Sequence, residues 1–327
     1  MDTIINVQIP HIGEEIFQGI EIPELFRLKT VSKTWKVLIE NALCKKVVEK
    51  YNSNVNAVFE HEDQAVVTNI FKILLKDSRD IDFNVQDQFG QSPFIHASIA
   101  GNRKVVKLLM DYSNLKSIDL EAKANPPTVR GSDWTAFFFA CHYGHSDVVK
   151  LILEYSNKVA INFNVRRGFG FTPFMVACSE GNSQTVKLLL ENSTNLNIDV
   201  NATMPLGVNG LVLACVRGHK NVVKLLLEYA GNLNIDLNAR DSAGYTAFMI
   251  ACTWGHADVV KLFLDYSGPI KIDLNARDYN GQRSYDIALM NGETEVVNLL
   301  QEYRRVFQLA CPLICGFRLF NYGSFLL

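Results

Sequence analysis

A pattern of residues recurs along this chain every 37 positions, and it limits the possible folds more than any other feature. Alanine returns five times at this spacing, and a cysteine directly follows the first four of these alanines. The residues are Ala140, Ala177, Ala214, Ala251 and Ala288, with Cys141, Cys178, Cys215 and Cys252. A fixed period between about 20 and 50 residues is the signature of a protein built from stacked repeats. The chain is therefore predicted to form an array of similar units.

The clearest copy of the unit runs from Gly244 to Leu264 and reads GYTAFMIACTWGHADVVKLFL. Gly244 provides the backbone freedom of a tight turn, and Thr246 is placed to cap a first helix. Gly255-His256 ends that helix and turns the chain. The apolar residues that follow predict a second helix that is stable only when it is buried between neighbouring units.

The unit resembles the ankyrin repeat, which combines a glycine turn, Thr-Pro-Leu-His, two small residues, Gly-His and a Val-Val-x-Leu-Leu-Leu helix. The resemblance implies an all-α fold, an ankyrin-repeat solenoid of helix-turn-helix units with hairpin-like loops, preceded by a small helical module. Six copies are recognised: Gly90–Met110, Asp133–Leu153, Gly170–Leu190, Gly207–Leu227, Gly244–Leu264 and Gly281–Leu300.

Two departures from the family pattern carry expectations. The usual period is about 33 residues, so four residues are extra here, and we expect them to lengthen the loop after the second helix, as at Tyr229–Asn234. The family's histidine in Thr-Pro-Leu-His is absent, so we expect apolar packing in place of its hydrogen bonds. The residues at that position are Ile95, Phe138, Met175, Val212 and Met249.

The sequence predicts four regions. They are a helical module at residues 1–50, a degenerate capping repeat at 51–85, the ankyrin repeats at 86–305 and an apolar tail at 306–327. Asn125-Pro126-Pro127, before the second clear repeat, predicts a longer loop because two adjacent prolines exclude helix. For the tail, we expect a segment folded over the last repeat rather than a membrane anchor, since charged and glycine residues interrupt it.

The segment from Ile9 to Ile39 does not follow the repeat. It contains Ile9-Pro10, then Glu15-Ile16, and it closes with Val31-Ser32-Lys33-Thr34-Trp35. This order resembles the F-box, whose pattern is Leu-Pro, Glu-x-Ile and Val-Cys/Ser-x-x-Trp. The resemblance implies that the module binds the adaptor Skp1 through its apolar residues. Carried over, these are Ile9, Pro10, Ile12, Ile16, Leu25, Val31 and Trp35. The alternative is an ordinary helical cap for the array.

The positions at which the repeats differ predict a partner-binding surface. In ankyrin proteins such positions line the concave face that binds partners, and aromatic and arginine side chains dominate binding energies at interfaces. The alternative for the aromatic residues is packing on neighbouring loops. The predicted partner-binding residues are Trp134, Tyr143, Phe169, Phe171, Glu180, Arg217, Tyr245, Trp254 and Tyr279.

Neither catalysis nor a cofactor or metal ion is expected. The periodic cysteines are predicted to be buried, reduced core residues, because stacked helices lie about 10 Å apart and a disulfide cannot span that distance. The histidines His145, His219 and His256 recur at a structural turn. Cys311 and Cys315 lack a second ligand pair.

The formal charge of −2 argues against nucleic-acid binding. The amino terminus has no secretory leader pattern, and reduced cysteines fit the cytoplasm or nucleus. A membrane partner is not expected, and the chain is expected to be a monomer before it joins a complex.

These observations predict a protein-interaction protein. The preferred interpretation is a substrate receptor of a Skp1-cullin-F-box ubiquitin ligase, in which the ankyrin stack holds the protein to be modified. Its contribution would be proximity and orientation. The alternative is a non-catalytic ankyrin scaffold or inhibitor without any link to a ubiquitin ligase.

Overall fold

A computed structural model of the protein describes residues 21–24, 43–51, 54–76, 81–124 and 134–314, the last eight of these by their backbone alone. The chain divides into two compact units, Met1–Gly168 and Phe169–Leu327. Throughout the described ranges the regular structure is helical, and the pairing between extended segments is limited to isolated bridges. The all-α prediction is thus confirmed.

The first unit contains a helical segment at residues 43–51 and a 3-10 helix at Val55–Glu60, followed by six α-helices. The 3-10 helix packs against α1 and α2, and the helices pair as α2 with α3 and α5 with α6. The α-helices are α1 (Gln64–Lys76), α2 (Pro93–Ile99), α3 (Arg103–Asp111), α4 (Ser113–Lys116), α5 (Ala136–Tyr143) and α6 (Ser146–Tyr155).

The second unit contains four helix pairs, each a first helix followed by a second helix that packs against it. The pairs also stack on one another, first helix on first helix and second helix on second helix. They are α7 (Pro173–Ser179) with α8 (Ser183–Leu196), α9 (Gly210–Val216) with α10 (Lys220–Leu233), α11 (Ala247–Thr253) with α12 (Ala257–Leu264), and α13 (Ser284–Asn291) with α14 (Thr294–Ile314).

The start of each first helix follows the local sequence. The side chain of Thr246 accepts a hydrogen bond from the backbone N–H of Met249 at 3.3 Å, as predicted for the N-cap. Thr172 caps α7 in the same way, and Pro173 occupies the first helical position, where a missing N–H has no consequence. In the fourth clear repeat Asn209 replaces the threonine and caps α9.

A Gly-His dipeptide follows the first helices α5, α9 and α11, and it also joins consecutive repeats. Gly218 has φ +69°, which favours glycine. His219, the next residue, places Nε2 2.8 Å from the carbonyl oxygen of Ser179 in the preceding repeat. His145 binds the carbonyl of Ile99 at 2.7 Å in the same manner. Histidine hydrogen bonds between repeats therefore exist, although they come from the Gly-His turn.

The five residues that replace the family's other histidine are all buried, as expected for apolar packing at that position. Each is at most 2% exposed: Ile95, Phe138, Met175, Val212 and Met249. The periodic alanines and cysteines are also fully buried. Their small side chains lie where neighbouring first helices pack together, for example α9 against α11.

The expectation for the four extra residues is correct after α6 and α12, which end at Tyr155 and Leu264 and are followed by non-helical residues. It is wrong at Tyr229–Asn234, the place for which it was made, because Tyr229–Leu233 continue α10 to Leu233. Ala230 is fully buried, so the added turn also contributes to the core. Asn234 ends the helix in the left-handed conformation, φ 49°, and the N–H of Ile235 bonds the carbonyl of Ala230 at 3.0 Å. Asparagine tolerates this conformation better than most residues, which lets the longer helix end cleanly.

Two recurring loop elements follow the second helices. We call the Ile-Asp-Leu-Asn type of segment, such as Ile235–Asn238, a connector, and the hairpin-like loop after it a finger. Single antiparallel bridges close the fingers, at Ala124↔Trp134, Thr203↔Asn209, Arg240↔Thr246 and Arg277↔Arg283. The predicted proline loop lies between Ala124 and Trp134, at residues 125–133, outside the described residues.

The last repeat ends differently from the others. Its second helix, α14, continues to Ile314, so the predicted start of the tail at residue 306 falls within a helix. Gln301, Glu302, Arg304 and Arg305 are exposed on it, as suits the end of an array. Among the described residues, none of the helices has both the length and the apolar character needed to span a membrane.

Candidate protein-binding surface

The carboxyl ends of the first helices bring three predicted residues into one row in the second unit. Glu180, Arg217 and Trp254 are the C-caps of α7, α9 and α11. These helices are all seven residues long and pack side by side. Equal length and stacking place equivalent residues in register. We call these three residues the C-cap row.

The C-cap row combines an ion pair with an exposed aromatic ring. The guanidinium Nη1 of Arg217 lies 3.8 Å from Oε2 of Glu180, and their side chains are 55% and 29% exposed. A pair this accessible contributes at most about 1 kcal/mol to stability. Trp254 is 57% exposed. An indole left in water contributes little to folding, so its area is available to a binding partner.

In the first unit, the equivalent position belongs to Tyr143, the last residue of α5, which is 51% exposed. Its ring stacks on Phe139 with centroids 6.4 Å apart and meets the edge of His142 at 4.8 Å. These contacts hold the ring while leaving half of it accessible. Tyr143 thus has the exposure that partner binding requires.

The predicted aromatic residues of the fingers divide into two groups. Trp134 is half-buried, with its ring centroid 4.6 Å from Phe138 and 5.0 Å from Phe139. Tyr245 is half-buried against Met249, Ala276 and Ile287. For these two residues the structure shows the packing contacts that the alternative interpretation anticipated.

The remaining finger aromatics differ among themselves. Phe169 is 79% exposed and Tyr279 is 70% exposed, whereas Phe171 is half-buried. The backbone N–H of Tyr279 donates to the carbonyl of Ala243 at 3.1 Å, so the finger is anchored while its ring extends outward. Phe169 and Tyr279 therefore offer the larger apolar areas among the predicted finger residues.

Several exposed apolar residues are not in the predicted partner-binding set, among them Leu206, Leu289 and Met290. Leu206 is 69% exposed and has φ 73°, in the left-handed region that non-glycine residues rarely adopt. It lies one period after Phe169, so the spacing already identified could have located it. Leu289 and Met290, near the end of α13, are 57% and 71% exposed.

The adaptor-binding set cannot be placed in the same way. All seven of its residues, Ile9, Pro10, Ile12, Ile16, Leu25, Val31 and Trp35, lie outside the described residues. The stretch Val66–Leu75, against which a capping module would pack, lies in α1, where Val66, Val67, Ile70 and Phe71 are buried.

The thiols of three of the four periodic cysteines, Cys178, Cys215 and Cys252, are held in the neutral form. Burial raises the pKa of Cys252 to about 12 and raises the pKa values of Cys178 and Cys215 further. A neutral thiol is neither a strong nucleophile nor a metal ligand. Within the ranges that the structure describes, there is also no group of three or more His, Cys, Asp or Glu side chains placed to hold a metal ion.

A family model for ankyrin repeats matches the chain in three copies, at residues 63–166, 159–241 and 232–308. A search of curated proteins gave no match. The matched region covers the helix pairs with capped first helices, Gly-His turns and apolar second helices, and it extends over most of the chain. Ankyrin repeats are generally non-catalytic modules for protein–protein interaction, and this chain belongs to the ankyrin-repeat family.

Proposed function

We propose that this chain is a receptor that holds a protein partner on its repeats and is connected, through residues 1–50 and a Skp1-like adaptor, to a cullin-based ubiquitin ligase. The observation that supports the first half is the C-cap row, an exposed tryptophan in register with an acidic and a basic residue. The second half is supported by the F-box-like sequence motif.

The chemistry of the C-cap row favours a protein as the partner. An acidic, a basic and an aromatic side chain at equivalent positions offer charge and apolar area together, which suits a mixed protein surface. A nucleic-acid backbone would instead call for several cations in the row. Each repeat contributes one side chain, so the order of residues along the row would determine which partner binds.

The binding half of the proposal is tested with a partner identified by proximity labelling in cells. We expect Trp254→Ala and Arg217→Ala each to weaken binding of that partner by about 1 kcal/mol or more, as expected for interface anchors. The control is Lys224→Ala, since Lys224 is 62% exposed on the second helix α10 and bonds only within its own helix. Unchanged affinity in the Trp254→Ala/Arg217→Ala double variant would exclude the C-cap row.

The ligase half is tested separately by co-purification of the full chain with Skp1. Replacing Ile16 by Asp, or Ile9 and Pro10 together by Ala, is expected to abolish co-purification because a charged or truncated side chain removes apolar burial. Thermal unfolding of the repeats should remain nearly unchanged. If the Ile16→Asp variant still binds Skp1, the chain is better described as a scaffold whose first forty residues cap the stack.

The proposed location is the cytoplasm or nucleus. It is supported by the four buried thiols of Cys141, Cys178, Cys215 and Cys252, which form no disulfide. Reduced cysteines are typical of proteins in these compartments.

A further inference from the structure

An asparagine in each of three connectors binds the next connector along the chain. Its Nδ2 donates to a carbonyl 33 residues later, and its Oδ1 accepts from an N–H 35 residues later. The distances are 2.8 and 2.7 Å for Asn84, 3.0 and 3.3 Å for Asn201, and 2.9 and 2.8 Å for Asn238. The connectors are therefore linked by a ladder of side-chain amides.

Neighbouring fingers in the second unit are linked as well. The N–H of Ser242 donates to the carbonyl of Leu206 at 2.9 Å, and Nη1 of Arg240 donates to the carbonyl of Arg277 at 2.6 Å. Each connector and finger in this series thus binds the one that follows it. The last connector, Ile272–Asn275, has no successor of this kind in the described part of the chain.

Asn275 occupies the same position in the period as Asn238, yet within the described ranges its side-chain amide has no hydrogen-bond partner. Arg277 corresponds to Arg240, but its Nη1 donates to the carbonyl of Gly281 within its own finger, at 2.6 Å. Of the two groups, the side-chain amide of Asn275 is therefore the one available to hold a further connector.

Asn275 lines a cleft that has both apolar and charged side chains in its walls. Ile235 and Leu237 of the preceding connector are 3% and 1% exposed, whereas Ile272 and Leu274 are only half-buried. These two residues, with Tyr285, Leu300 and Tyr303, line a cleft of about 1120 Å³. One period after Ile272–Asn275, at residues 309–312, the chain is still in α14, which runs to Ile314. No connector therefore packs on Ile272–Asn275 from that position, and this leaves the cleft.

We propose that residues 315–327 of this chain fill the cleft as its last connector and finger. Phe320-Asn321 repeats the connector pair Phe83-Asn84, and Asn321-Tyr322-Gly323-Ser324 has turn residues flanked by apolar ones, as a finger requires. The reach is sufficient. From Tyr303 to Ile314 the helix rises about 16 Å, and residues 315–320 span up to about 20 Å when extended.

The proposal is independent of the partner and of the Skp1 link. In the proposed arrangement, the side-chain amide of Asn275 makes the same two hydrogen bonds that Asn238 makes, with backbone groups of residues 315–327 as partners. Phe320 and the apolar residues next to it occupy the cleft. A second copy of the chain, or a connector-like segment of another protein with an acidic residue facing the rim arginines Arg277 and Arg283, would be the competing occupants.

The experiment uses the full chain with a photo-cross-linking benzoylphenylalanine in place of Arg304, an exposed residue at the rim of the cleft. After illumination, we expect cross-links within one chain to residues 315–327, identified by peptide mass spectrometry, with a yield that does not depend on protein concentration. Adding Asn275→Ala should lower this yield by about three- to tenfold, the effect of losing neutral hydrogen bonds.

Asn298→Ala is the matched control, because Asn298 is exposed on α14 and does not line the cleft. It should leave the yield unchanged. Cross-links between two chains, cross-links only to other segments, no cross-links, or equal yields in the Asn275→Ala and Asn298→Ala variants would each overturn the proposal.

Discussion

The Nε2 atom of His219 lies 2.8 Å from the carbonyl oxygen of Ser179, 40 residues earlier in the chain. The same bond recurs between His256 and the carbonyl of Val216 at 3.1 Å. Each of these histidines also packs its ring against the glycine of the preceding repeat. One residue type therefore turns the chain within its own repeat and joins that repeat to the previous one.

Removing this hydrogen bond should destabilise the second unit. His219→Ala leaves the Ser179 carbonyl without its partner, so we expect a loss of about 1–2 kcal/mol in the free energy of unfolding. Urea denaturation followed by circular dichroism measures it. Lys220→Ala is the control, since Lys220 is exposed and its contact with Asp258 is 4.0 Å long. Equal losses in the two variants would show that the histidine bond does not contribute.

The glycine that faces each histidine can be tested with a matched pair of substitutions. Gly218 and Gly292 both have positive φ, 69° and 77°. A Cβ on Gly218 would lie 2.6 Å from Nδ1 of His256, whereas one on Gly292 would meet nothing within 4 Å.

We expect Gly292→Ala to cost about 1 kcal/mol from backbone strain alone. Gly218→Ala should cost about 1–2 kcal/mol more, because it also displaces a packed ring. Both values come from chemical denaturation. Indistinguishable losses would mean that the histidine ring moves aside freely.

The periodic cysteines should resist thiol reagents while the protein is folded. Cys178, Cys215 and Cys252 are fully buried, and burial raises their pKa values. A reagent therefore cannot reach these sulfur atoms, and the reactive thiolate form is not populated. Cys44 is exposed and serves as the internal reference. Alkylation followed by peptide mass spectrometry should modify Cys44 in the native state and the other three only after unfolding. Rapid native labelling of Cys215 would contradict the buried position.

Acid should destabilise the first unit through His96. Burial lowers the pKa of His96 below 6.5, and this effect outweighs the opposing attraction of Asp87, whose Oδ2 lies 3.1 Å from Nε2. Between the folded-state pKa and 6.5 the unfolded chain binds the proton and the folded chain does not, so stability rises with pH across this window. The stability that the neutral His96 contributes is therefore lost as the pH falls from about 7 through the folded-state pKa.

The measurement for His96 is urea denaturation at several pH values between about 5 and 8, a range that brackets the ordinary histidine pKa. His96→Gln keeps a polar side chain without a titrating ring, so its stability should fall less on acidification than that of the unchanged protein. Parallel curves for the two proteins would assign the pH dependence to other groups.

Much of the repeat architecture was determined by the sequence alone, because its causes are local. The caps at Thr172 and Thr246, the Gly-His turns and the small residues at Ala214 and Cys215 act within a few residues of their own positions. Because the sequence repeats every 37 residues, the same caps and small buried residues recur in successive repeats. The structure has them at the predicted positions.

Only the tertiary structure decided where the four extra residues go and which varied side chains are accessible. The local pattern around Tyr229–Asn234 fits either a loop or a helix, and burial of Ala230 in the core together with the left-handed Asn234 selected the helix. Likewise, Trp134 and Trp254 are the same residue type at variable positions, yet one is half-buried on Phe138 and the other is 57% exposed. Exposure depends on which neighbours the fold brings close, and those neighbours come from other elements of the stack.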